Sequence, residues 1–314
     1  MKKKWLKKGG ALLMASTMLL SVFSGTMGTG ITAYASENQT TTADGSAIAE
    51  LAEEASPDTS TDLSSVSGDN AYMHEIKESG SYYLSGNLTS NEDKTFLHIT
   101  GNIDVRIDLK GYDIYLKYMG IMIDGGARVT ITNSSNEESI IEQGNVIQRL
   151  LDQTGGSLTL ENVTLVEKQG ESYNRAIVYV KGGGNLTVKK VKFDSQGYCI
   201  SLDNTGNIDI ADSTFTVSSN LDGGGNIIPT DMTNLVGNIT ISNSTFEWAK
   251  GGGIGINTKE HGSVDISGST FNCASGITVT GGEVNVSDCQ FEGTDEYGLG
   301  SAIYMRSVAD KTNK

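Results

Sequence analysis

The chain has 314 residues, of which 37% are hydrophobic and 19% are charged, and its formal net charge is −15 at pH 7. This length is sufficient for one large hydrophobic core or two smaller ones. The acidic excess argues against nucleic acid or an anionic membrane surface as the partner, because both are negatively charged.

Residues 1–35 are predicted to be a cleavable signal peptide. Five lysines precede an apolar stretch, and Ala33, Tyr34 and Ala35 supply the small-x-small pattern of a signal-peptidase site. The apolar stretch is short for a membrane-spanning helix, so we expect no membrane insertion after cleavage. The expected protein is secreted or cell-surface associated, and it keeps 18 basic against 38 acidic residues, a net charge of −20.

Residues 36–70 are rich in Ser, Thr, Asp and Glu and lack the apolar content that a core needs. We predict a disordered acidic linker here. The folded domain is expected to cover residues 71–314, where Gly, Asn, Ser and Thr alternate with Ile, Val, Leu and Phe. Such alternation is typical of half-buried β-strands.

A ten-residue phrase recurs through this domain, and residues 237–246, GNITISNSTF, are a good example of it. Apolar residues follow the first residue at +2 and +4, and a large apolar residue follows at +9. The +6 residue is usually Asn, Asp or Gly, which adopt positive φ at low cost and so predict a sharp corner. Lys190 is the exception, for which we expect a strained or differently shaped corner. The copies begin at Gly156, Gly184, Gly206, Gly237, Gly262 and Gly282. Two looser copies begin at Val105 and Ala127, and in the second of these Asn136 takes the +9 position in place of a large apolar residue.

A second strand is predicted after each phrase, as in CISLD (199–203), GIGIN (253–257) and GITVT (276–280). Three short strands and three corners per copy predict a solenoid, because each copy buries its inward side chains only by stacking on its neighbours. Alternation directs Ile200, Leu202, Ile254 and Ile277 inward. The predicted outward column is Val178, Ser201, Ile228, Gly255, Thr278 and Tyr304.

These repeats resemble those of right-handed parallel β-helix proteins of the pectate-lyase-like superfamily. Two stretches near the start of the domain are similar to the first turns of secreted β-helix surface proteins of Gram-positive bacteria. They are ESGSYYLSGNLT (78–89) and VRIDLKGYDIYL (105–116). The resemblance implies an all-β, right-handed parallel β-helix of about eight turns. It implies little about function, because such proteins include polysaccharide lyases, glycoside hydrolases, adhesins and non-catalytic carbohydrate binders.

Two enzyme patterns of this superfamily fit poorly. A polygalacturonase-like hydrolase would show DD, NTD and a late RIK, whereas this chain has NTG (204–206), NTK (257–259) and MRS (305–307). His261 is expected in an exposed turn. For a pectate-lyase-like Ca²⁺ site the candidate ligands are Asp222 and Asp231, with a flexible acidic loop as the alternative. No cofactor is expected, unless Asp222 and Asp231 bind Ca²⁺.

Glycan binding is favoured over cleavage. Aromatic rings lie in the connections that enter the sheet formed by these second strands, and one lies on its outer face. Such rings could stack on sugar faces, although they could instead cover the apolar ends of loops. The candidate glycan-binding residues are Tyr173, Tyr198, Trp248, Tyr297 and Tyr304.

The remaining expectations concern the three cysteines and the end of the domain. Cys199, Cys273 and Cys289 occupy different positions of the repeat, so we expect three reduced, packed thiols. The last strand has no predicted cap, which suggests either a fragment of a longer surface protein or self-association through that end.

The functional prediction is a secreted, non-catalytic β-helix protein for cell-surface adhesion or extracellular glycan binding, with a host, plant or other extracellular polysaccharide as partner. The first alternative is a polysaccharide lyase or glycoside hydrolase acting on polyuronate-type substrates. The second alternative is a structural spacer within a larger surface protein.

Overall fold

The computed structural model describes residues 60–90, 94–117, 119–144, 149–168, 176–218, 226–229, 237–257, 263–281, 283–293 and 301–305. All of them belong to one compact unit, Ala55–Lys314. One short 3-10 helix, Leu63–Ser65, lies among them, and the other regular elements are β-strands.

The strands follow one another along the chain with short connections. The first nine are β1 (Thr61–Asp62), β2 (Tyr72–Ile76), β3 (Gly80–Tyr83), β4 (Leu88–Thr89), β5 (Thr95–Ile99), β6 (Asp104–Asp108), β7 (Ile114–Leu116), β8 (Met119–Ile123) and β9 (Arg128–Thr132). The next nine are β10 (Ile140–Gln143), β11 (Leu151–Thr154), β12 (Ser157–Glu161), β13 (Thr164–Glu167), β14 (Ala176–Lys181), β15 (Asn185–Lys189), β16 (Lys192–Ser195), β17 (Tyr198–Asp203) and β18 (Ile208–Ala211). The last nine are β19 (Thr214–Val217), β20 (Asn226–Pro229), β21 (Ile239–Ser242), β22 (Thr245–Asn257), β23 (Ser263–Ser267), β24 (Thr270–Gly281), β25 (Glu283–Ser287), β26 (Gln290–Gly293) and β27 (Ser301–Met305).

These strands stack in three parallel sheets and form the predicted right-handed parallel β-solenoid of about 8 turns. Sheet A runs β1-β3-β6-β9-β12-β15-β18-β21-β23-β25, and sheet B runs β2-β5-β8-β11-β14-β17. Sheet C runs β4-β7-β10-β13-β16-β19-β22-β24-β26. The second halves of β22 and β24 pair with β20 and β27, and β20 packs against β17, so this group continues sheet B.

The corner between sheets A and C has the left-handed backbone that the repeat predicts. The φ angles are 57° at Asn162, 48° at Asn243 and 57° at Gly268. Lys190 adopts the same conformation, with φ of 53°. Of the two alternatives expected for this position, the structure has the strained corner rather than a differently shaped one. Pairing with the neighbouring turns sets the backbone conformation of the corner, and Lys190 adopts that conformation.

Two ladders of polar side chains join successive turns, and neither was anticipated. The Ser244 hydroxyl accepts from the backbone N–H of Ser213 at 3.2 Å and donates to the carbonyl of Ser242 at 2.8 Å. Ser269 accepts in the same way from Ser244 N–H. At the start of sheet A, the Asn185 side-chain oxygen accepts from Asn207 N–H, and the oxygen of Asn207 accepts from Asn238 N–H. These side chains satisfy backbone groups where the strands end.

A column of phenylalanine rings fills the C-terminal turns of the core, as the +9 positions predict. Neighbouring ring centroids are 4.7–5.0 Å apart and nearly parallel, and the rings belong to Phe193, Phe215, Phe246, Phe271 and Phe291. Glycine at 253 and 276 leaves the space that two of these rings occupy. A Cβ on Gly276 would lie 2.4 Å from Cδ1 of Phe291. Large residues in one column thus require small residues in the facing column.

Three boundaries differ from the sequence prediction. The solenoid begins before residue 71, because β1 pairs with β3 and Leu63 is fully buried. The +9 position that Asn136 breaks is restored by Ile141, which pairs with Leu165 after the extra loop 134–138. Residues 151–154 form a strand of sheet B that was not predicted, although Leu151 is fully buried.

Replacing Ser244 by Ala tests the serine ladder. The change leaves the buried backbone N–H of Ser213 without its acceptor, so we expect the free energy of unfolding to fall by about 1–3 kcal/mol. The control is Ser242→Ala, which removes a half-buried hydroxyl with no side-chain hydrogen bond in the described part of the chain and should cost less than about 0.5 kcal/mol. Urea unfolding measures both, and equal losses would contradict a role for the ladder.

Replacing Gly253 by Ala tests the space between the two columns. The new Cβ would lie 2.6 Å from the carbonyl oxygen of Gly276 and 2.7 Å from Cδ1 of Phe271. We expect overpacking to cost about 1–3 kcal/mol of unfolding free energy. Gly86→Ala is the matched control, because no atom lies within 4 Å of its new Cβ. A Gly253→Ala protein as stable as the control in thermal unfolding would refute the packing argument.

Candidate functional site

The outer face of sheet B carries the most polar and aromatic side chains that contact one another from turn to turn. The residues at successive outward positions are in register, because Glu75 pairs with His98, His98 with Met122, and Met122 with Asp152. The register continues from Asp152 to Tyr179 and from Tyr179 to Ser201. We call this set the sheet B row: Glu75, His98, Met122, Asp152, Tyr179 and Ser201, with Tyr72, Asp124, Arg149, Lys181 and Asp203 beside it.

This register corrects the predicted outward column. Val178 pairs with Ile200 and is fully buried, so it faces inward, and Tyr179 takes the outward position. Ile228 pairs with Ile254 and is also buried. The prediction aligned both strands one residue out of register, and a slip of one residue exchanges the two faces of a strand. The inward positions predicted for Ile200, Leu202, Ile254 and Ile277 are confirmed.

His98 is the centre of the N-terminal half of the row. Its Nδ1 lies 3.2 Å from Oε1 of Glu75, and its Nε2 lies 3.1 Å from Oδ2 of Asp124. Its ring stacks on Tyr72 at a centroid distance of 4.2 Å, and only 8% of the residue is exposed. Both ring nitrogens of His98 therefore face a carboxylate oxygen. Lys77 completes the group with a 2.7 Å contact to Glu75.

Asp124 is held in its charged form by this group. Burial alone raises the pKa of its carboxyl, but hydrogen bonds from Thr100 and His98 outweigh burial and keep the pKa below its usual value. Asp124 is therefore a fixed anion at neutral pH.

Tyr179 is the centre of the C-terminal half of the row. The Arg149 guanidinium carbon lies 3.4 Å from the Tyr179 ring centroid, and the same arginine contacts Asp152 at 3.0 Å. Lys181 reaches the other oxygen of Asp152 at 3.3 Å. The Tyr179 hydroxyl donates to Asp203 at 3.0 Å. Burial, and then this hydrogen bond, raise the pKa of the Tyr179 hydroxyl, so it remains protonated at neutral pH.

The row offers prearranged hydrogen-bonding groups rather than a reactive centre. The carboxyl groups of Glu75, Asp124 and Asp152 each contact a lysine, arginine or histidine side chain. Met122, 37% exposed, lies between the two halves of the row and adds an apolar contact surface. A surface on which charged, aromatic and apolar groups alternate suits a ligand that carries hydrogen-bonding groups and also has apolar faces.

Most of the predicted glycan contacts cannot be placed on this face. Tyr173 and Tyr297 lie outside the described residues, as does the side chain of Tyr304, whose backbone pairs with Thr278 in β27. Tyr198 is half-buried and begins β17. Trp248 is 5% exposed and belongs to the core, which corrects its assignment as an accessible ring. The reason is alternation, since Phe246 faces inward and the residue two positions later faces the same way.

The predicted Ca²⁺ ligands Asp222 and Asp231, together with His261, also lie outside the described residues. Among the residues that are described, no group of three or more His, Cys, Asp or Glu side chains is arranged to hold a metal ion.

Within the same residues, no helix has the length and hydropathy needed to span a membrane.

The three cysteines are free thiols, as predicted. Cys199 and Cys273 are buried, whereas Cys289 is half-buried and takes the position that Ser244 and Ser269 hold in the serine ladder. Its Sγ donates to the carbonyl of Ser287 at 3.2 Å. Burial raises the pKa of the Cys273 thiol to about 12 and raises that of Cys199 well above its usual value.

Sequence reasoning missed His98, Tyr179 and Arg149. A signal was present for His98, because placing Leu97 and Ile99 in the core puts the residue between them on the outer face. Tyr179 required the correct register of β14. Arg149 precedes a strand that was not predicted, and no motif marks it.

Comparison with known proteins agrees with this architecture. Residues 175–298 match the family model described as a right-handed beta helix region. No curated protein and no solved structure matches the chain at a significant level.

Thiol labelling of the native protein tests the burial of the cysteines. At pH 8 we expect Cys289 to react with a disulfide reagent while Cys199 and Cys273 do not, because a buried neutral thiol is a poor nucleophile. Mass spectrometry of labelled peptides identifies the sites, and urea-unfolded protein should react at all three. Rapid labelling of Cys273 in native protein would contradict its buried position.

Proposed function

We propose that this chain, a right-handed parallel β-helix protein, is a non-catalytic glycan-binding protein that holds an extended saccharide along the sheet B row. The site would act at a cell surface or in the extracellular space, in adhesion or in retention of polysaccharide. The observation that carries the proposal is the placement of two groups of contacting polar and aromatic side chains on one face of sheet B, one around His98 and one around Tyr179, with Met122 between them in register.

The dimensions of the row suit a chain-like ligand. It extends over six consecutive strands of sheet B, β2 to β17. Neighbouring strands are about 4.8 Å apart, so the row is roughly 24 Å long. A linear polymer could lie across the strands and meet an equivalent outward position at each turn, whereas a small ligand would use only one part.

The chemistry of the row suits sugars. Carboxylates accept hydrogen bonds from hydroxyl groups, and guanidinium and ammonium groups donate to ring and hydroxyl oxygens. The aromatic rings of Tyr72 and Tyr179 and the thioether of Met122 offer apolar surface for the C–H faces of pyranose rings. Because Arg149 and Asp203 hold Tyr179 in place, little side-chain entropy is lost when a ligand binds.

Binding is favoured over cleavage by the state of the ionisable groups. Glycoside hydrolysis needs a protonated carboxyl and an ionised carboxylate on either side of the scissile bond. Glu75 and Asp124 are separated by the His98 ring, which fills the space that a substrate would need. The raised pKa of Tyr179 argues against this phenol as a general base.

Replacing Tyr179 by Ala tests the proposal. We expect affinity for the bound glycan to fall about tenfold, or roughly 1.4 kcal/mol, because the ring and its supporting contacts are lost. The matched control is Tyr115→Ala on sheet C, since Tyr115 is also half-buried and donates to an aspartate, Asp113, at 2.9 Å. Retention on insoluble neutral and acidic polysaccharides, with and without Ca²⁺, measures binding.

The same incubations separate the alternatives. Retention without new reducing or unsaturated ends, lost in Tyr179→Ala and kept in Tyr115→Ala, supports the proposal. New chain ends would show a lyase or hydrolase and reject the non-catalytic assignment. Failure to bind any polysaccharide of a broad panel would favour a structural spacer.

A further inference from the structure

A second surface with unpaired hydrogen-bonding groups lies on the outer face of sheet A, near its N-terminal end. It is a shallow depression of about 370 Å³ across β3, β6, β9 and β12. One row of outward residues crosses it in register, with Ser81 beside Arg106, Arg106 beside Thr130, and Thr130 beside Thr159. This face is separate from the sheet B row.

Arg106 is available for a ligand although two acids flank it on β6. Asp104 is held by Arg128, whose Nη2 donates to Oδ2 at 2.8 Å. Asp108 accepts from the backbone N–H groups of Lys110 and Ser134 at 3.1 and 3.0 Å. In the described part of the chain, the Arg106 guanidinium makes no hydrogen bond or salt bridge of its own.

The hydroxyl groups beside Arg106 are also unpaired. Among the described residues, the side chains of Ser81, Thr130 and Thr159 form no hydrogen bonds. Ser81 and Thr130 lie on the strands on either side of Arg106, and Thr159 lies one strand beyond Thr130, with about 4.8 Å from strand to strand. Arg128, fixed by Asp104 and by a contact to Asn102 at 3.3 Å, forms one wall of the depression.

We propose that this depression binds a single oxyanion group, a carboxylate, sulfate or phosphate, with the Arg106 guanidinium as the main donor and the hydroxyls of Ser81 and Thr130 as secondary donors. A guanidinium presents two parallel N–H groups that match two oxygens of such a group. Hydroxyls on the adjacent strands can donate to the same group.

The charge balance limits the ligand to one acidic group at this position. Arg106 and Arg128 line the depression with two positive charges against one negative charge on Asp104, and Asp108, which lies outside the lining, interacts electrostatically with Arg106. The excess positive charge of the depression is therefore at most one. The whole chain has a charge of −15. A closely spaced polyanion would therefore be repelled along most of its length, whereas an isolated acidic substituent or a small anion would not.

Titration with inorganic sulfate at low ionic strength tests the site. The readouts are the side-chain Nε–Hε resonance of Arg106 in the unmodified protein and, in every variant, the backbone N–H resonances of Val105 and Val129, which line the depression, in the nuclear magnetic resonance spectrum of isotope-labelled protein. We expect a saturable shift, and we expect Arg106→Gln to weaken sulfate affinity at least about tenfold. Arg106→Lys, which keeps the charge but loses the planar fork, should give a smaller loss, and Thr130→Val should weaken affinity about threefold.

The matched control is Lys189→Gln. Lys189 is an exposed cation on the same face of sheet A and contacts Glu161 at 3.8 Å, so this change alters net charge as Arg106→Gln does. We expect less than a twofold effect on sulfate affinity. Equal losses in the two variants would overturn the proposal, because they would show a long-range charge effect. Absence of a saturable shift at Arg106 would also overturn it.

Competition with a monomeric uronic acid identifies the source of the oxyanion. Displacement of sulfate by the uronic acid at lower concentration supports a saccharide acid as the natural ligand. Sulfate binding that the uronic acid does not displace supports a free inorganic anion at the same site. Tyr179→Ala should leave sulfate affinity unchanged, which keeps this test independent of glycan binding on sheet B.

Discussion

The structure depends on the parallel hydrogen bonding that holds each turn in register above the one before it. Because the strands of each sheet pair with their counterparts in neighbouring turns, a side chain at one position of the repeat meets the same position about 4.8 Å away. Like residues are therefore stacked on like residues. The phenylalanine column, the serine ladder and the asparagine ladder are three results of this one constraint. From β12 onward, the left-handed corner at Asn243 and its equivalents keeps sheets A and C in phase, because it has two residues in every turn.

From β12 onward, sheets A and C could be predicted from the sequence because two residues separate each sheet A strand from the sheet C strand that follows it. A fixed connection preserves the period, and the core positions Ile239, Ile241 and Phe246 follow by counting. Sheet B could not be counted in the same way, since the connection that enters it changes length from turn to turn. Val178 and Ile228 were assigned to the wrong face for this reason. Nothing in a single sequence specifies that Ala176 pairs with Tyr198.

The candidate site was harder to predict than the core, because each turn has the same outward positions but fills them with different types of residue. Glu75, His98 and Asp124 come from three strands that share no motif, and only the register brings them together. Inward residues must match their neighbours in volume, so they recur and are visible as a pattern. Outward residues meet no such restriction, and their contacts appear only when the turns are stacked. The aromatic candidates follow from their positions in the connections, which do not reveal the direction of a side chain, and Trp248 belongs to the core.

The two outer faces differ in how their polar groups are satisfied, and this difference bears on what each can bind. On sheet B, the polar groups of Tyr179, Asp152 and His98 already contact protein partners, so a ligand there meets a rigid, preformed surface and gains from shape and stacking. On sheet A, Arg106 and its neighbouring hydroxyls have no such partners in the described residues, so a ligand there gains from new hydrogen bonds to one group. A neutral saccharide fits the first surface better, since it brings ring faces and many weak hydrogen bonds. An isolated acidic group fits the second, because a guanidinium fork is most effective on a single planar anion.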